Sequence, residues 1–481
     1  MQKQKEKPSG KRPNILLICT DQWRGDCVSI SGHHTVQTPY LDQLALGGVR
    51  FTSAYSECPT CIAARASLMT GCTPRTTGRV GYRDGVPWDY PVTLAGEFSR
   101  HGYHTQAIGK MHVFPEREKL GFDEVILHDG HLPFARRHAE KIEDIDDYIP
   151  WLREQTGRQD ADYFEHGVTC NSYVARPWDK EEYLHPTNFV TSKTVDYLRQ
   201  RQEQDQPFFL FVSYHRPHPP YDPPAWAFEQ YLHEQMPPPP IGDWAEFLLK
   251  YEDRSCEPFV QNVPPKILQR ARAGYYGHMT HIDHQLSRIV ESLNEFHLEN
   301  TYILFVSDHG EMIGDHRLFR KGFPYQGSAN IPFILKGPNP DDLLSGSVNE
   351  AVIGLQDVMP TLLDCAGLPI PESVEGKSVL PLAHQKTQDI HEFIHGEHPL
   401  FEHSIQYLTD GTEKYIWWSG DGREQLFDLK VDPQELHDLV AENPERIKFW
   451  RSRLIKELRG RPEGFSDGKQ LRTGCPVFHV I

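Results

Sequence analysis

Four short apolar runs constrain this 481-residue chain more than anything else in it. They are Ile15–Ile18, Phe208–Val212, Tyr302–Val306 and Ile331–Leu335, each uninterrupted by a charge and rich in β-forming residues. A strand with one wet face alternates apolar and polar side chains, so an unbroken run reads as a strand buried on both faces. Strands of that kind belong to parallel sheets covered by helices. Helical patterns do lie between the runs, most clearly Ile282, Leu286, Ile289, Leu293 and Phe296, whose spacings of three and four place one apolar face on a long helix. The expectation is an α/β fold, a central and mostly parallel sheet sandwiched by helices. After Leu382 the pattern changes. The stretch KYIWWSGDGREQLFDLKVDP reads as two strands joined at Gly-Asp-Gly, followed by a helix from about Pro444 to Leu458. A main domain over 1–382 and a smaller α+β domain over 383–481 follow from that change. Two stretches read as insertions, one from about 131 to 190 and a proline-rich one from 219 to 265, and their aromatic residues suit substrate walls or surface contacts equally.

Composition narrows the function. A formal net charge of −17 argues against a nucleic-acid partner or an anionic membrane as the main target. No apolar segment is long enough to span a bilayer and no secretory signal is visible, which gives an expectation of a cytoplasmic protein, or a periplasmic one if a leader precedes this sequence. Nine cysteines without regular spacing do not form a disulfide framework. Cys58 and Cys61 make a CxxC, but no second pair follows to complete a zinc site.

Polar residues collect where the apolar runs end. The first run ends in Thr20-Asp21-Gln22 and the third in Ser307-Asp308-His309-Gly310. Ligands of open α/β sheets bind beyond the carboxyl ends of strands, so these clusters can meet in one crevice. A lone Asp after a strand is more often a turn or a cap. Two such clusters together make a site for a hard divalent cation from Asp21, Gln22, Asp308 and His309, calcium first, with magnesium or manganese as alternatives. The second run leads to SYHRPHPPY, where prolines hold His218 stiffly enough to protonate a leaving group. In YHTQAIGKMH, extended chain would put Lys110 and His112 on one side. Lys321, shortly after the Asp308 cluster, is a further cation candidate.

Cys61-Ile-Ala-Ala-Arg65, followed by Ala-Ser-Leu-Met-Thr-Gly71, resembles the signature of type I sulfatases, Cys-x-Pro/Ala-x-Arg before a helix ending in Thr-Gly. Cys58 lacks that register. The resemblance extends through PNILLICTDQ, GKMH, HRPHPP, SDHGEMIGDH, DVMPTLLDCAGLP and LFDLKVDPQELHDL, nearly the whole chain. It implies an alkaline phosphatase-like fold and hydrolysis of an aryl or carbohydrate sulfate ester. It also implies that a maturation enzyme oxidises Cys61 to formylglycine, whose hydrated aldehyde attacks sulfur and later expels sulfate. By the same resemblance Arg65 orients that residue, Lys110 and Lys321 grip sulfate oxygens, His112 assists release and His218 sits by the leaving oxygen. Asp21, Gln22, Asp308, His309 and the modified Cys61 would hold calcium. A helix starting near Cys61 would aim its N–H groups at the sulfate.

The departures from the family pattern are Gln22 where a second Asp is common, His309 where Asn or Gln is, Ala63 for the proline, and Tyr325-Gln326 where a Glu often stands near the sulfate. A phosphonate monoester or phosphodiester hydrolase of the same superfamily is the rival reading, against which GKMH counts. A non-catalytic anion binder is the third. Trp23, Arg24, Arg79 and Arg83 are candidate pocket residues for a small or oligosaccharide sulfate ester. The terminal CPVFHVI is apolar enough to pack on a second copy, giving a homo-oligomer, or on its own body.

Overall fold

The computed structural model describes residues 11–481. Its centre is an eight-stranded sheet, in the order Glu124–Leu127, His104–Gly109, Phe208–Pro217, Asn14–Asp21, Thr301–Ser307, Phe333–Lys336, Val49–Phe51 and Ser347–Asn349. Every pairing is parallel except the two made by Phe333–Lys336. Three of the four apolar runs are thus the adjacent central strands, buried on both faces as their composition demands. The fourth starts late, because Pro332 has no N–H to give a ladder. It runs antiparallel to Thr301–Ser307.

Helices cover both faces. On one side the long helix Pro265–Glu295 buries Ile282, Leu286, Ile289 and Leu293, the stripe that its spacing announces, with Phe296 buried just beyond it. Pro186–Arg201 packs beside it. On the other side Cys61–Thr70 is buried along its whole length, its small residues allowing close approach to the sheet and to Val358–Cys365.

A second, antiparallel sheet is formed by Ile394–Leu400, His403–Thr409, Glu413–Trp418 and Glu424–Asp428. The helix Pro444–Glu457 lies on one face, against Tyr415, Trp417 and Leu426. The opposite face, with Ile405, Tyr407, Ile416, Trp418 and Phe427, packs on Tyr55, Phe323 and Tyr325 of the main body. The C-terminal sheet is therefore a ladder of its own but shares a core with the rest, and Glu397 donates its N–H to the Glu57 carbonyl across the boundary at 2.7 Å.

The stretches read as insertions are packed rather than peripheral. Tyr148, Tyr163 and Phe189 are core residues. Trp244 stacks on Tyr325 and Phe247 meets Trp418 edge-on, so that segment binds the C-terminal sheet to the body. The chain's end lies on its own body: Ile481 donates to the Gly78 carbonyl at 2.9 Å. Among the described residues, no helix is long and apolar enough to cross a membrane.

Candidate active site

The register of the central strands builds the site. Thr20 pairs with Ser307, so Asp21 and Asp308 leave the sheet side by side. Both carboxylates are fully buried. The fully buried helix Cys61–Thr70 points its first residue at them: Cys61 Sγ lies 3.6 Å from Asp21 Oδ1 and 3.3 Å from His309 Nε2. Its first helical hydrogen bond is from Ala64 to Thr60, which leaves the N–H groups of 61–63 without a helical acceptor. His309 donates from Nδ1 to the Gly310 carbonyl at 3.0 Å, which turns Nε2 toward the carboxylates of Asp21 and Asp308.

One ligand atom each from Asp21, Cys61, Asp308 and His309 falls within 4.8 Å of all the others. Burial and the neighbouring Asp21 push the Asp308 carboxyl above its usual range, the pressure expected of two carboxylates in a dry site. A divalent cation would relieve it, so these residues fit one. Two carboxylates with one imidazole form a mixed oxygen and nitrogen donor set.

Arg65 stands behind the cluster. Its Nε meets Asp308 Oδ2 at 3.0 Å and its Nη1 donates to Ser213 Oγ and to the Lys110 carbonyl. Lys110 pairs with Asp21. Burial raises the Cys61 thiol and Asp21 adds to that, but Lys110, Lys321 and His309 outweigh both and hold it well below its ordinary value.

Lys110 and His112 reach the site by a turn, not by strand alternation. The strand stops at Gly109, at φ +110°, where a Cβ would collide with the Ser213 carbonyl oxygen. His112 is itself left-handed, at φ +58°, and Asp129 fixes it by accepting from the N–H groups of Met111 and His112. Asp84 faces His112 Nε2 at 3.7 Å. Burial lowers the His112 imidazole, but Asp84 and Cys61 raise it above its ordinary value. Opposite, Lys321 Nζ approaches His218 Nε2 at 2.6 Å while His218 Nδ1 donates to the Pro219 carbonyl. That arrangement makes His218 a neutral acceptor, and burial with Lys321 holds its pKa well below the usual range. At this end of the site His218 Nε2 and Lys321 Nζ therefore face each other across one hydrogen bond.

Cys61, Lys110, His112, His218 and Lys321 all line one cavity of about 410 Å³. Gln22 departs from the expectation of a ligand. Its amide oxygen accepts from Lys321 at 2.7 Å and its amide nitrogen donates to Glu311; only its backbone N–H reaches Asp308. The proposed pocket residues are also displaced. Trp23 is core, Arg24 pairs with Asp26 and Asp315, and Arg79 is held by Tyr90 and two backbone carbonyls. Arg83 lines only a small neighbouring hollow. Tyr325 and Gln326 point to Gln425 and Lys414 in the C-terminal unit, away from the cavity. Sequence reasoning missed Asp84, Asp129 and the cavity wall of Phe134, Phe259, Arg320, His398 and Phe401. Glu311, within SDHGEMIGDH, belongs with them: it accepts from the Gln22 amide nitrogen and from the N–H of Ile313.

The sequence matches the family model described as Sulfatase over residues 13–368, and that of N-sulphoglucosamine sulphohydrolase, C-terminal, over 314–460. The chain belongs to the sulfatase family. It is 48% identical to an arylsulfatase of Clostridium perfringens, over 97% of this chain and 98% of that one. A choline-sulfatase of Rhizobium meliloti is 28% identical over 90% of this chain and 83% of its own. Among solved structures, a phosphonate monoester hydrolase of Agrobacterium radiobacter superposes with a TM-score of 0.76 at 25% identity, covering 92% of this chain and 95% of that one. The reaction of this sulfatase is hydrolysis of a sulfate ester, and the family implies a bound metal ion.

Proposed function

We propose that the sulfatase cleaves an aryl-type sulfate ester with residue 61 as formylglycine and calcium between Asp21, Asp308 and His309. The observation that carries this reading is the position of Cys61: first in a buried helix, facing two carboxylates and an imidazole, in the wall of a cavity it shares with Lys110, Lys321, His112 and His218. The Cys61 sulfur stands where the oxygen of the oxidised residue would be. When present, the oxidised residue supplies a hydrated aldehyde as nucleophile, and calcium supplies charge that stabilises the sulfate.

The chain's own groups do the rest. Lys110 and Lys321 hold sulfate oxygens as negative charge develops, a contribution of the kind worth about 10²–10³ in rate per donor. The proton shared by Lys321 Nζ and His218 Nε2 is the one available to the departing oxygen. His112 takes the second proton at residue 61 as sulfate leaves, and Asp84 stabilises the resulting imidazolium. Phe134, Phe259, Phe401 and Tyr82 give the outer cavity aromatic walls suited to a ring. A cytoplasmic setting belongs to this reading, supported by nine cysteines without a disulfide among them. Cell fractionation tests it.

The peptide mass across Cys61, in protein made beside a formylglycine-generating enzyme, is the decisive measurement. It is to be paired with turnover of 4-nitrophenyl sulfate and an aryl phosphonate monoester. Formylglycine with faster sulfate release is expected. Unmodified cysteine with full turnover sinks the mechanism, and faster phosphonate cleavage transfers the site to the rival reaction. Chelation should abolish turnover and calcium should restore it; restoration by manganese alone would replace the ion.

A further inference from the structure

The cavity is lined by four permanently basic side chains, Lys110, Lys321, Arg137 and Arg320, against one carboxylate, Asp84. In a chain of net charge −17 this excess is local and does not follow from composition. Two of the cations have partners at the sulfate end: Lys110 pairs with Asp21, and Lys321 donates to Gln22 and His218. Asp84 is turned to His112.

Arg320 is different. Its backbone is locked in the left-handed region at φ +65°, with its N–H on Glu311 and its carbonyl accepting from Met312. Its guanidinium lies 4.3 Å from the centre of the Phe259 ring. The side chain makes a single hydrogen bond, from Nη1 to the Glu257 carbonyl at 3.5 Å. The Nε is shut off from solvent and has no partner. No ion pair involves Arg320 among the described residues. A rigid, half-buried guanidinium without a counter-ion, facing a ligand cavity, is a fork awaiting an anion. Leaving it unpaired is costly, and the backbone lock together with the Phe259 ring keeps it from swinging out to water.

We propose that Arg320 reads a second anionic group, a carboxylate or a second sulfate, on the alcohol portion of the ester. This rests on the sulfatase reading and narrows its substrate to a ring bearing both a sulfate ester and another negative charge. Lys321 and Arg320 are consecutive but turn their charges to different neighbours, so one serves the sulfate being cleaved and the other the part of the substrate that departs. Arg137, exposed at the cavity wall, adds to the same field.

The test compares kcat/KM for 4-nitrophenyl sulfate, 4-sulfooxybenzoate and hydroquinone disulfate in the native sulfatase, Arg320→Gln and Arg320→Lys. Expected is a preference for one or both charged esters that falls about 10- to 100-fold in Arg320→Gln, mainly through KM, and returns in part in Arg320→Lys. The carboxylate and the disulfate arms identify which anion is preferred. A preference that survives Arg320→Gln, or an equal loss on all three esters, overturns the proposal and leaves Arg320 a support for Phe259. Calorimetric binding of 4-hydroxybenzoate, the product alcohol, reads Arg320 without turnover. Wild-type binding that is lost in Arg320→Gln supports the proposal, and binding unaffected by the substitution refutes it. Failure of the native protein to cleave any of the three esters would instead count against the assigned chemistry.

Discussion

Arg65 ties the nucleophile's helix to the sheet: one guanidinium holds Asp308, the Lys110 carbonyl and Ser213 at once, fully out of water. Removing one partner of a buried charge pair leaves the other uncompensated. Arg65→Ala should therefore destabilise the fold by about 3–5 kcal/mol in denaturant titrations as well as abolish turnover. Arg65→Lys should recover little, because an ammonium cannot serve three acceptors arranged for a fork. Asp84 acts more finely. Its carboxylate favours the charged form of His112, so Asp84→Asn should lower the His112 pKa. The limb of the pH–rate profile set by that histidine should then move to lower pH. An unmoved limb would show that Asp84 does not act through His112.

At the scale of elements, Asp283 decides how the long helix Pro265–Glu295 is used. Its carboxylate accepts the N–H groups of Tyr40 and Leu41 at 3.1 and 2.7 Å, pinning the start of helix Pro39–Leu46. Burial nevertheless pushes its pKa up to about 7, the two backbone donors only partly offsetting it. Because the folded value is raised, the folded chain holds a proton between pH 3.8 and about 7 that the unfolded chain has lost. The associated stability is present below that window and lost as pH rises through it. The difference in unfolding free energy between the native protein and Asp283→Asn should thus change with pH across this window and be constant above pH 8. Asp283→Ala should cost about 1–3 kcal/mol at neutral pH through the two orphaned N–H groups.

For the whole molecule, the question is whether the C-terminal unit can be detached. Ile405, Tyr407, Trp418 and Phe427 share a core with Tyr55, Phe323 and Tyr325, and His398 and Phe401 line the cavity. Truncation after Leu382 should expose that face and give an insoluble or inactive chain, readable by size-exclusion chromatography and turnover. A soluble, active fragment would show instead that the two sheets are energetically independent. His398 adds an acid sensitivity of its own. Burial depresses its pKa to about 3, so stability tied to its neutral form is complete above the unfolded value of 6.5 and is lost as pH falls from there toward 3. Unfolding free energy should drop less between pH 6.5 and 4.5 in His398→Leu than in the native protein.

Sequence alone determined the central strands, the long helix and most of the site: Asp21, Cys61, Asp308 and His309 converge as expected. The reason is that unbroken apolar runs admit few environments, and residues at the carboxyl ends of neighbouring parallel strands are brought together by register. What the tertiary structure decided depends on contacts between distant segments. Gln22 follows the Asp21 it was grouped with, yet its side chain is claimed by Glu311 and Lys321, nearly three hundred residues on. Arg24 and Arg79 read as pocket cations in the sequence but are held by buried partners, whereas the Arg320 Nε is buried without one. The charge on an arginine is written in the sequence; whether a partner already neutralises it is written only in the packing.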